Sequence, residues 1–213
     1  MNSPARSPRR LLSAFLAAGL LAWVAGCNLI PPPQADPTHY YVLNGPSLTE
    51  AGSPGGKLRL GLRPLELAPY LRKGAIVVRL GSNELLYKDE ARWGEPLEAG
   101  ISRTLRAQLL TQPAVARVYT PPYPIDQDRD YDIAVTILRC EGATDNAGHS
   151  TAKFSAQIEI TSVKNPGLVV ARRIFNAPDA AWDGHNYSAL AESLSAAIAA
   201  LSAETVAALP DTP

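Results

Sequence analysis

A period-two alternation constrains the fold of this chain most. Ala152, Phe154, Ala156, Ile158 and Ile160 alternate without a break against Lys153, Ser155, Gln157, Glu159 and Thr161. Successive side chains of an extended strand point to opposite faces, so such a segment belongs to a sheet that is covered on one side only. Tyr131, Ile133, Val135 and Ile137 repeat the pattern. Shorter runs at 40–43, 58–62 and 115–119 read as further strands, and Pro64 ends the regular pairing of the second or puts it at an edge. Residues 76–80 and 84–87 form a hairpin across Gly81-Ser82-Asn83, and Asn165-Pro166-Gly167 turns into a strand at 168–175.

Two segments change to helical spacing. Pro96 suits a first helical position, and Leu97, Ile101, Leu105 and Leu109 recur every four residues up to Pro113. From Tyr187, residues Leu190, Leu194, Ile198, Leu201 and Leu209 line one stripe until Pro210, with Ala and Ser on the other side. The expected architecture is a single α+β domain with a mainly antiparallel sheet, a meander in its middle, and two principal helices packed on one face.

The first 26 residues stand apart. Arg6, Arg9 and Arg10 precede an apolar run at 11–24, the layout of an export signal. The run falls short of the ~20 apolar residues a membrane span needs. It ends in Val24-Ala25-Gly26-Cys27, which resembles a bacterial lipobox. The reading is a signal peptide over 1–26, cleaved before a Cys27 that carries acyl chains such as palmitate, giving firm membrane attachment. Asn28, rather than Asp, favours the periplasmic face of the outer membrane, with the inner membrane as the other address. Residues 27–38 hold Pro31, Pro32, Pro33 and Pro37, a semi-rigid spacer of roughly 30 Å when extended. The domain then occupies 39–210, with a tail at 211–213.

Three of the 20 basic residues and none of the 20 acidic ones precede Cys27, so the mature chain carries a net charge near −3. That balance lacks the basic stripe of a nucleic-acid binder. With Cys27 acylated, Cys140 is a lone thiol, read as a buried small hydrophobe.

Catalytic and metal signatures are missing. The stretch AGSPGGK at 51–57 approaches a phosphate-binding loop, but Leu58 stands where Ser or Thr should hold magnesium, and a strand follows where a helix should. Asp126, Asp128, Asp130 and Asp132 open like a calcium loop, yet Tyr131 occupies the glycine position and Ile137 the closing glutamate. His39, His149 and His185 form no zinc signature. His149 beside Ser150 has no nucleophile elbow around it, and adjacent strand residues face apart. The expectation is no catalytic residue, no metal, and no cofactor other than acyl chains on Cys27.

An order of landmarks remains: Tyr40-Tyr41-Val42-Leu43, then Pro69-Tyr70-Leu71, Ile76-Val77-Val78-Arg79, Asn83-Glu84-Leu85, Trp93-Gly94-Glu95-Pro96-Leu97, and the Ala/Ser-rich last helix. In this order, after the lipobox, they make the chain resemble the PqiC-like family of ABC-type transport auxiliary lipoproteins, although Gly94 departs from the alanine expected there. The resemblance covers nearly the whole mature chain. It implies a non-enzymatic component of a system moving lipids or other hydrophobic molecules across the envelope. Such a component docks an MCE-type conduit at the outer membrane, beside an MCE-domain protein and an ABC or integral membrane component. Homo-oligomerisation is left open. The competing class is an envelope adaptor such as an activator of a peptidoglycan synthase.

Tyr70, Tyr87 and Trp93 fall near Arg72, Arg79 and Arg92, and aromatic residues with arginine are enriched at interface centres. Tyr70, Tyr87, Arg92 and Trp93 are therefore candidate partner-binding residues. The alternative is that Tyr87 and Trp93 cap the core.

Overall fold

A computed structural model describes residues 34–47 and 52–210. The signal peptide, Cys27 and the tail lie outside these residues. Chain clustering separates residues 1–37 from a folded unit beginning at Thr38, and the architecture below is that of the unit.

The two alternating segments become the longest strands, β7 (Tyr131–Thr144) and β8 (Ser150–Ser162), paired antiparallel along their whole length. Along the opposite edge of β7 lie β2 (Leu58–Leu62), β3 (Glu66–Leu67) and β4 (Ala75–Leu80), one after another and all parallel to it. The chain thus walks along β7 from its start to its end, and a 3-10 helix, Pro69–Lys73, fills the gap between β3 and β4. β5 (Glu84–Trp93) returns antiparallel to β4, and β1 (His39–Tyr41) adds to β5 in parallel. β6 (Val115–Tyr119) flanks β2, while β9 (Val169–Asn176) and β10 (Ala180–Trp182) take the free edge of β8. Among the described residues the fold is α+β, with a ten-stranded sheet and two α-helices in a single domain. The longest ladders are antiparallel, as the alternation implies. The parallel additions to β7 come from distant segments that local patterning does not pair.

Helices α1 (Leu97–Leu110) and α2 (Tyr187–Ala207) contact each other, and α2 also lies against β8 and β7. Leu97, Ile101, Leu105 and Leu109 are buried, as are Leu190, Leu194, Ile198 and Leu201. α2 is long and apolar enough to cross a membrane by length and composition alone. Its leucine stripe is instead spent on the core, which also holds Ile133, Val135, Ile137, Ile158 and Ile160. Small residues let the helices approach: Ser202 accepts from Gln112 Nε2, and Ser195, Ser202 and Thr205 satisfy their hydroxyls on carbonyls of their own helix.

The opposite face of the sheet, with Ala134, Thr136, Gln157 and Glu159, keeps contact with solvent. A bulge at Leu138 shifts the β7 register between Ile137 and Arg139. Beyond it the phase reverses: Cys140 and Gly142 join the core side, and Arg139 and Glu141 join the open side. Three contacts lock β1 in place. Gly94 N–H donates to Tyr41 O, an Arg103 Nη donates to Leu43 O, and Asn44 N–H donates to Ser195 Oγ.

Candidate functional site

The 3-10 helix sits on the open face and carries its most distinctive chemistry. Tyr70 Oη donates to Leu138 O at 3.1 Å, so the carbonyl released by the bulge is satisfied by a side chain. Glu141, with no solvent exposure, takes Arg79 Nε at 2.7 Å and Arg139 Nε at 2.9 Å. Two guanidiniums therefore share one carboxylate, and the cluster keeps an excess positive charge. The Arg79 guanidinium lies 5.5 Å from the Tyr70 ring centroid and Lys73 Nζ lies 4.1 Å from that of Tyr87. Burial, then the hydrogen bond and negative charge of Glu141, push the Tyr70 phenol well above its ordinary value. The hydrogen bond to Glu141 raises Arg79 in turn, so both groups hold their protons at any physiological pH.

Tyr87 pairs with Val77, and Arg79 pairs with Leu85, which sets Tyr87 and Arg79 side by side on the open face. An Nη of Arg92 comes within 3.7 Å of the position a Cβ on Gly74 would take, next to Lys73. Gly74 closes the 3-10 helix with φ +74°, a left-handed conformation that glycine adopts without strain. The structure thus brings Tyr70, Tyr87 and Arg92 onto one surface. Trp93 is 7% exposed and points to the core side, behind Arg92. Arg139, Glu141 and Lys73 complete the surface. The first two escape a reading of the alternation because the Leu138 bulge inverts the phase behind them.

The other sequence candidates scatter. His149 Nδ1 faces Asp145 at 3.2 Å, while Ser150 Oγ bonds Thr144 Oγ1 at 2.8 Å, so no base meets that hydroxyl. His39 and His185 line a shared groove of about 560 Å³ with Tyr41, Tyr87 and Tyr187. Asp130 accepts from Arg59 N–H and Asp132 from Arg129 Nε, which spends two carboxylates of the acidic loop inside the protein. Among the described residues no group of His, Cys, Asp and Glu is placed to hold a metal ion. Cys140 is 1% exposed, and burial drives its thiol far above the ordinary range, which leaves it unreactive. Residues 52–57 lead into β2 rather than a helix.

Residues 41–206 match the family described as ABC-type transport auxiliary lipoprotein component. No curated protein matches the chain. Among solved structures, an uncharacterized protein superposes with a TM-score of 0.61 at 18% identity, covering 78% of this chain and 95% of its own. Protein XCC0632 from Xanthomonas campestris, of the family DUF330, gives 0.61 at 19% identity, covering 79% and 90%. Both likenesses concern the fold.

Proposed function

We propose, from the premise that this chain belongs to the family of ABC-type transport auxiliary lipoprotein components, that it serves as a non-enzymatic part of a system carrying lipids or other hydrophobic molecules across the envelope. Acyl chains on Cys27 hold it to the periplasmic face of the outer membrane, where it docks an MCE-type conduit. The conduit's MCE-domain protein works with an ABC or integral membrane component, and several copies of this chain can share one conduit. Tyr70, Tyr87 and Arg92 form the partner-binding surface, and Trp93, the fourth candidate, takes the alternative role of capping the core behind Arg92.

The observation that carries this reading is the extent of the family match, which spans the folded unit from β1 into the last turns of α2. The chemistry of the described residues supports it. Ser150 Oγ is paired with Thr144 and His149 with Asp145, so these two do not form the nucleophile–base pair that covalent catalysis requires.

Genetic epistasis tests the proposal. Loss of this chain and loss of the cell's MCE-domain partner are expected to change outer-membrane lipid composition in the same way, with the double loss no worse than either. Additive effects would place the two in separate pathways and overturn it.

A further inference from the structure

We infer that the open-face surface around the 3-10 helix is a membrane contact, lying against anionic lipid headgroups of the bilayer that holds Cys27. This goes beyond the proposed function by giving that surface a lipid rather than a protein to meet, and it rests on acylation of Cys27.

The first argument is where the tether joins the fold. Cys27 precedes His39 by twelve residues, a span of at most ~40 Å even when extended. β1 opens at His39, and its Tyr40 is in register with Arg92 of the candidate surface. The tether thus confines this edge of the sheet to within that reach of the bilayer, where weak contacts suffice because the binding step is intramolecular.

The second argument is charge. Arg72, Lys73 and Arg92 make no ion pair among the described residues, and Arg79 and Arg139 share the single carboxylate of Glu141. The other acids nearby are Glu66, paired with Thr136 on the open face, and Asp89 and Glu90, which line the groove beside Tyr87. Cations therefore outnumber acids on this face, although the mature chain as a whole is acidic. Anionic headgroups attract such a cluster, and a lipid anchor joined to a basic patch gives the two signals that stable attachment takes.

The third argument is apolar exposure at the same edge. Tyr40 is 63% exposed and Val42 49%. Both crowd Gly94, whose added Cβ would lie 3.2 Å from Val42 Cγ1 and 3.7 Å from Tyr40 Cβ. β1 is locked into the fold, so these side chains are presented rather than loose. An exposed tyrosine beside arginines matches the composition of a membrane–water interface.

The test uses the mature chain produced without acylation and coupled through Cys27 to a maleimide phospholipid in vesicles. Cys140 is buried and does not compete. Tyr40→Trp is the reporter; Trp93 and Trp182, each 7% exposed, give a constant background. On phosphatidylethanolamine vesicles containing brominated phosphatidylglycerol, emission from position 40 shifts to the blue and is quenched, and high salt reverses both. Replacing Arg72, Lys73 and Arg92 with glutamine in the reporter chain weakens the contact about a hundredfold. That corresponds to about fivefold per cation, or ~1 kcal/mol each. Circular dichroism confirms that this variant is folded, and the salt reversal provides the same readout without any charge substitution. Position-40 emission that is the same on anionic vesicles, on phosphatidylcholine vesicles and in solution overturns the inference and assigns the surface to a protein partner. Because coupling is chemical and no other protein is present, that result leaves the conduit reading to its own test.

Discussion

Glu141 ties β4 to β7. A carboxylate with no solvent exposure, held by Arg79 from β4 and Arg139 from its own strand, is costly to bury alone and stable only with its partners. Glu141→Ala leaves two guanidiniums facing each other and is expected to lose ~3 kcal/mol of stability in urea unfolding. A loss within error of zero would mean that the cluster relaxes into solvent. Tyr70→Phe removes the donor to Leu138 O and should cost ~1 kcal/mol in the same assay. Gly142 illustrates a different constraint. A Cβ there would stand 2.6 Å from Trp182 Cζ3, so Gly142→Ala should cost ~1–3 kcal/mol as the buried indole is displaced. At this scale the sequence was only partly legible. Tyr70, Tyr87 and Arg92 could be singled out by type and proximity. Trp93 could not be sided, because whether an aromatic faces core or solvent depends on strand register. Glu141 was invisible, because Arg79 reaches it across a strand pairing that local sequence does not encode and the Leu138 bulge alone puts it on the open face.

Strands and helices with a strong period were readable from one end to the other. β8 and both helices follow from alternation and four-residue spacing, since each buries one face against the same core. The 3-10 helix, β3 and β10 carry too few residues to show a period and exist because longer elements hold them. β7 runs seven residues past its visible alternation, since the bulge at Leu138 inverts the pattern without ending the strand. The start of α2 carries its own prediction. Asn186 Oδ1 accepts from Ala189 N–H, so Asn186→Ala should cost ~1 kcal/mol. Asp183 accepts from the backbone N–H groups of Asn186 and His185, in that order of importance, and these hold its carboxyl below the ordinary value. A depressed folded value contributes stability above the ordinary carboxylate range and loses it as pH falls through the lower folded value. The protection of the Asn186 amide, relative to its intrinsic exchange rate at each pH, should therefore fall on acidification below pH ~4 in the natural chain. An Asp183→Asn chain should show no such step, and an identical acid response in both would refute the assignment.

Across the whole molecule, one sheet divides the labour. Its inner face and two helices form the core, while its outer face gathers cations and aromatics beside β1, where the folded unit begins. The α+β class could be read from the sequence because one-sided alternation and two amphipathic helices leave few alternatives. The order in which β2, β3 and β4 line β7 could not, being set by contacts between distant segments. Family membership came from an ordered set of landmarks, each weak alone, and the matched region now spans the folded unit. The central claim is that this chain is a working part of an envelope transport machine. Crosslinking in intact cells, purification through a C-terminal tag and mass spectrometry of what accompanies the protein test it most directly. The account predicts recovery of an MCE-domain protein or an ABC permease; recovery of a peptidoglycan synthase, or of no envelope partner, would contradict it.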